Sequence, residues 1–224
     1  MQLRHVIDGS QPLSRSLVVG LEEFIDRVEN QGPSVVPVLE LTGRPTAIVA
    51  STPSTALVNK WERVLRRLER LNAPTIAEVR GDCAGPAVEA LLATDLRIAT
   101  HDCHLYVSTS GGAVWPGMML HRLSNQIGAA AVRRHLLFGS ALNAGEALSL
   151  GLVHEIVDDL PAAVDAACKL AAAVSGDDLA VRRQLMLEAT TTPFEEALGR
   201  HLAACDRVTR QRRNEEAPDG AALV

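Results

Sequence analysis

APTIAEVRGDCAGPAVEALLATDLRIAT, residues 73–100, spells strand, tight turn, helix, strand. Thr75 to Val79 alternate as a short β-run, and Gly81 to Gly85 supply a turn of small residues. Pro86 stands where a first helical residue tolerates proline, because an amide there has no intrahelical partner. Ala87 to Thr94 continue as an Ala/Leu helix, and Leu96 to Ala99 return as a strand. A Gly/Ala turn feeding a helix start points peptide N–H groups outward. Glu89, one turn into that helix, is an acid on an otherwise apolar segment.

On the N-terminal side, Leu3 to Ile7 alternate and end at Asp8-Gly9, the signal of an edge or hairpin strand. Leu17, Leu21, Phe24, Ile25 and Val28 share one face of a helix that Gln31-Gly32-Pro33 ends. Val35 to Leu41 is the next strand, where Pro37 predicts an edge or a bulge. After a loop from Arg44 to Ser54, a helix runs to Leu71. Leu57, Trp61, Val64, Leu65, Leu68 and Leu71 form its apolar stripe, and Arg63, Arg66, Arg67 and Arg70 its solvated face.

On the C-terminal side, Leu105 to Ser108 is a strand and Trp115-Pro116-Gly117 begin a helix to Ile127. Gly128 separates it from a helix over Ala129 to Phe138. Asn143 and Glu146 make a capping box for the helix 144–150, which Gly151 stops. Leu152 to Val157 is the last strand, and helices follow. The spacing gives an α/β core over 1–160, a helical C-terminal subdomain over 161–213 (the oligomerisation subdomain under the family resemblance given below) and a tail over 214–224.

The 224 residues are 47% hydrophobic, enough for one sizeable core. A net charge of −5 and 3% aromatic residues argue against a nucleic-acid partner, which needs a basic face or stacking rings. No apolar run approaches a membrane span, and the first residues lack a signal-peptide pattern. Cys83, Cys103, Cys168 and Cys205 are scattered and read as reduced thiols, so a cytoplasmic location is expected. Lysine occurs only at 60 and 169 against many arginines, a bias of GC-rich bacterial genomes. His101 and His104 read as surface or turn residues rather than half a metal site, and His121 is open to a pocket role or, as for most histidines on such helices, a structural one.

The chain resembles the enoyl-CoA hydratase/isomerase, or crotonase, family over about residues 35–158. The carriers are residues 73–85, Glu89 and Thr94 to Ala99. A second block is Trp115-Pro116-Gly117, His121-Arg122-Leu123 and Ile127-Gly128. A third is Leu137-Phe138-Gly139, Ala144, Glu146-Ala147-Leu148 and Gly151-Leu152-Val153. The resemblance implies an α/β spiral of ββα units, a homo-oligomer (trimer or hexamer), and a coenzyme A thioester as substrate with no further cofactor.

It also implies site residues. Glu89 matches the first catalytic glutamate of the hydratases, and the second falls on Thr109, beside Ser110 and Gly111 in the same Ser/Thr/Gly run. A hydroxyl orients water but is no general base near neutrality. In the family two backbone N–H groups face the thioester oxygen, and each is worth about 10²–10³ in rate. Gly85, Pro86 and Ala87 match the glycine triplet that supplies one of them. Proline has no N–H, so that donor is absent unless Gly85 or Ala87 takes its place. Ser51 and Thr52 are the nearest equivalents of the other donor.

One glutamate retained, one replaced and a proline in the oxyanion turn resemble the auxiliary hydratase-like members of dihydroxyphenylglycine biosynthesis in glycopeptide-antibiotic producers. Those act with a type III polyketide synthase toward 3,5-dihydroxyphenylacetyl-CoA. The resemblance therefore implies a dehydratase on a polyketide-derived thioester. A non-catalytic acyl-CoA- or enzyme-binding subunit and an ordinary enoyl-CoA hydratase stay open.

Overall fold

The computed structural model describes residues 1–32, 35–46, 53–107, 109–110, 113–174 and 176–216. Three consecutive β-α-β units build its centre. β1 (Gln2–Asp8) leads through α1 (Arg15–Gln31) to β2 (Val36–Gly43), then through α2 (Thr55–Leu68) to β3 (Ile76–Ala84), and through α3 (Pro86–Leu91) to β4 (Leu96–Thr100). All four strands are parallel and neighbours in sequence order. β1 is therefore an edge strand but not half of a hairpin. Its Asp8-Gly9 end leads into the crossover helix that a parallel partner requires.

Pro37 follows a different logic from the one its residue type suggests. β2 lies between β1 and β3, and its bulge falls at Thr42/Gly43, not at the proline. Pro37 pairs only with Leu3, because the ladder to β3 begins at Val38. The missing N–H therefore costs the β2–β3 ladder nothing.

β3 runs through the glycine turn expected at residues 81–85. Its first half pairs with β4 at Ile76–Val79, and its second half pairs with β5 (His104–Tyr106) at Asp82–Ala84. Gly81, at φ 58°, is the kink where the strand passes from one neighbour to the other. On the opposite side Thr42 pairs with Arg80 and Gly43 with Cys83, so two residues of β3 bulge there. The chain is thereby carried two residues further before α3 starts.

β6 (Thr109–Ser110) and β7 (Ala113–Val114) form a separate two-stranded ladder. α4 (Met118–Ile127) and α5 (Ala129–Phe138) follow, with Gly128 between them as expected. β8 (Leu142–Asn143) pairs antiparallel with β5. α6 (Ala144–Ser149) carries the full capping box of Asn143 and Glu146. β9 (Glu155–Val157) joins β4 and is shorter than its apolar run suggested, since Leu152 and Val153 are packed into the core instead.

The sheet is covered on both faces. Leu39, Leu41, Ala77, Val79 and Ala99 pack toward α1, α2 and α3, whereas Val38, Ile76 and Ile98 pack against Leu160, Val164 and Ala167 of α7 (Leu160–Ala172). This odd–even division is the period of two that strands impose. Helix starts follow from local chemistry. The Ser14 hydroxyl accepts from Leu17 N–H at 3.2 Å and the Ser54 hydroxyl from Leu57 N–H at 3.3 Å. One compact unit spans Met1–Gly176, and a second begins at Asp177 with α8 (Gly176–Glu188) and α9 (Phe194–Glu216). Among the described residues no helix is long and apolar enough to cross a membrane.

Candidate active site

The β3–α3 junction is built to start a helix without a side-chain cap. Gly85 sits at φ 53° and ψ −129°, Pro86 takes the first helical position, and the Gly85 carbonyl accepts from Glu89 N–H at 3.1 Å. The positive φ explains glycine at 85, and the orphan position explains a proline at 86. Pro86, Ala87 and Glu89 are all buried, and Gly85 half-buried.

Glu89 keeps only 7% of its surface exposed. Its Oε2 accepts from the indole N–H of Trp61 at 2.6 Å, a buried bond from α2 to α3. Among the described residues its carboxyl enters no ion pair. Burial is the largest influence on it and pushes its pKa from 4.5 up to about 7. The Trp61 bond opposes that shift, the nearby Glu62 charge adds to it, and the Arg122 charge opposes it. A carboxyl so placed takes up and releases a proton near neutral pH, the property an acid–base group needs.

The other carboxyl oxygen faces the start of α4. A Cβ on Gly117 would stand 3.4 Å from Glu89 Oε1, and 2.8 Å and 3.0 Å from Cδ1 and Nε1 of Trp115. Both tryptophans of the chain therefore stand by this one carboxyl. Behind them Arg122 of α4 is 7% exposed and reaches back to α2. Its Nη1 meets Glu62 at 2.7 Å, and its Nε meets Glu69 at 2.9 Å. This triad ties the helix carrying Trp61 to the helix that begins at Gly117. Val88 and Leu92 line an apolar void of about 10 Å³ with Leu105, Met119 and Leu123. That is room for about one water and not for an acyl chain.

Of the residues singled out in the sequence, Gly85, Pro86, Ala87 and Glu89 come together at this junction. Thr109 and Ser110 form β6, paired with Val114 and Ala113. The chain then passes through Trp115 to Gly117, at Glu89. Ser51, Thr52 and Gly111 lie outside the described residues. His121 does not turn inward: it is exposed and shares a 2.9 Å hydrogen bond with Asn125 one helical turn on. His101 and His104 lie at the surface, each 3.6 Å from an aspartate (Asp158 and Asp82), and no metal-holding group of three occurs among the described residues. Arg67 of the arginine face is paired, to Asp26 at 2.7 Å and to Glu29.

Trp61 is the participant that no motif marked, whereas Gly117 and Arg122 stood in the second family block without an assigned role. Trp61 fits the apolar stripe of α2, which hides its polar end. The available signal was that a buried indole N–H requires an acceptor.

A family model described as Enoyl-CoA hydratase/isomerase matches residues 46–218. The chain belongs to the enoyl-CoA hydratase/isomerase family. A protein of Amycolatopsis orientalis named Enoyl-CoA-hydratase is 44% identical over 205 residues, covering 92% of this chain and 94% of its own. The fold recurs in solved structures. A structure described as an enoyl-CoA hydratase from Shewanella pealeana superposes with a TM-score of 0.79 at 20% identity, over 98% of this chain and 88% of that one. A structure described as enoyl-CoA hydratase of Mycobacterium smegmatis gives 0.78 at 21% identity, over 99% and 89%. The crotonase-type α/β architecture expected from the sequence is thus the one this family member adopts.

Proposed function

We propose that this family member acts on a polyketide-derived coenzyme A thioester, assisting dehydration and aromatisation toward 3,5-dihydroxyphenylacetyl-CoA, with Glu89 as its single acid–base group. The observation that carries the reading is the buried Glu89 carboxyl, held by Trp61 and lifted to a pKa of about 7. As carboxylate it accepts the proton from the carbon next to a carbonyl. As acid it then protonates the departing hydroxyl, so that a C–H and a C–O bond break, a C=C bond forms and water leaves. Where the family's second glutamate is expected the chain has Thr109, and where one oxyanion donor is expected it has Pro86, which has no N–H. One carboxyl and a weakened oxyanion turn suit an elimination driven by aromaticity better than the addition of water to an isolated double bond. The acyl-CoA arrives from a type III polyketide synthase partner, no cofactor is needed beyond the CoA of the substrate, and the chain works as a homo-oligomer.

Replacing Glu89 with Gln lowers aromatised product, assayed together with the synthase, by about 10²-fold or more. Unchanged product would replace the dehydratase with a non-catalytic acyl-CoA- or enzyme-binding subunit. The name of the Amycolatopsis orientalis relative favours a second reading, an ordinary enoyl-CoA hydratase. Hydration of crotonyl-CoA by the purified protein separates the two. Little or none is expected, and an ordinary hydratase rate would show that Pro86 and Thr109 do not weaken the site.

A further inference from the structure

The bond between Trp61 and Glu89 does more than satisfy a buried indole. An indole N–H donates and never accepts, so the oxygen facing it must offer a lone pair in both protonation states of the carboxyl. Glu89 Oε2 is that oxygen, at 2.6 Å. Trp61 is 1% exposed within the core stripe of α2, so it has no room to swing away. Oε1, in contrast, looks toward Gly117, which carries no Cβ to crowd it. A methyl there would come within 3.4 Å of Oε1 and collide with the Trp115 ring.

We infer that Trp61 is a positioning residue for Glu89: its indole N–H holds Oε2, so that Oε1, on the Gly117 side, is the oxygen that carries and delivers the proton. This rests on the reading of Glu89 as the acid–base group. It goes further by giving the two oxygens different tasks and by assigning the difference to a side chain 28 positions away on another helix. The charged groups around the carboxyl are accounted for. Glu62 of α2 and Arg122 of α4 act on it through space, and Arg122 is committed to Glu62 and Glu69. Trp61 is thus the one hydrogen-bond donor to the Glu89 carboxyl among the described residues.

Two tryptophans give two indole N–H signals in a ¹H–¹⁵N spectrum of the full chain. The Trp61 signal, identified by its persistence in Trp115→Phe, should move with pH through a midpoint near neutrality and stand still in Glu89→Gln. In Trp61→Phe, the carboxylic C=O infrared band that Glu89→Gln removes should titrate about one pH unit higher, because the donor that favoured the anion is gone. A merely structural tryptophan would not shift that band. An indole signal that stays fixed across the neutral range overturns the assignment, as does an infrared titration unchanged in Trp61→Phe. Should Trp61→Phe not fold, the indole titration in the wild-type chain and in Glu89→Gln decides the matter alone. Full product formation by Glu89→Gln would remove the functional reading, while the indole signal would still decide whether Trp61 holds this carboxyl.

Discussion

Glu78 and Glu89 stand eleven positions apart, both deep in the molecule, and the fold treats them in opposite ways. Glu78, on β3 and 1% exposed, meets guanidinium groups from two places: Arg4 of β1 and Arg80 of its own strand, the latter at 3.2 Å. Glu89, on α3 and 7% exposed, meets a neutral indole. Two cations make a buried carboxylate tolerable, whereas one N–H dipole falls short of offsetting the lost water, so Glu89 is driven toward its neutral form. The nearest guanidinium to Glu89, that of Arg122, is engaged by Glu62 and Glu69. The same residue type is ion-paired in one place and pushed toward its neutral form in the other, and the difference lies in who faces it.

Three substitutions sharpen or break that contrast. The largest effect is expected from Arg122→Ala, which removes the guanidinium that Glu62 and Glu69, with side chains 16% and 14% exposed, share. Breaking a buried pair from one side costs about 3–5 kcal/mol, so the midpoint of thermal unfolding should fall by about 10 °C. A fall of only a degree or two would mean that the triad does not join α2 to α4 in solution.

Next is Glu89→Gln, with the opposite sign. The folded-state pKa of Glu89, about 7, lies above its ordinary 4.5. The stabilisation from holding its proton is therefore complete below the lower value and is lost as pH rises through the upper one. That loss is about 3 kcal/mol, and the neutral amide escapes it. The variant should match the wild type at acidic pH and unfold several degrees higher at pH values above neutrality. A variant less stable than the wild type under alkaline conditions would show that the carboxylate is welcome where it sits.

The smallest effect is expected from Glu78→Gln. Arg4 and Arg80 keep 38% and 50% of their side chains in solvent, so water replaces much of what they lose. Urea unfolding should show a loss of about 1–2 kcal/mol. If the exchange of Glu for Gln moves stability the same way at both positions, the distinction drawn between them fails.

Much of this architecture is legible in the sequence. The Asn143–Glu146 box, the glycines at 128 and 151 and the apolar stripes of α1 and α2 place most helices up to α6, because each is a pattern within a few turns of chain. Glu89 is legible as the acid at a family motif position, whereas its burial is not. The misreadings share a cause. The Gly81–Gly85 run reads as a turn locally, but pairing with β2 and then β5 keeps it in a strand. Pro37 reads as an edge, but what matters is which neighbour its backbone has at that register, and β3 has not yet begun there. The position of His121 after Gly117 leaves its direction open, and the structure gives the inward face of α4 to Met119, Arg122 and Leu123.

Periodicity, capping and turn chemistry are properties of neighbouring residues, so the order of strands and helices and the family motifs follow from the chain alone. The partner of Glu89 does not. Trp61 reaches it across 28 residues, and Arg122 reaches Glu62 across 60, because the fold brings α2 against both α3 and α4. Burial and the choice between an indole and a guanidinium set the charge state of a carboxyl, and both arise only when separate helices share a core.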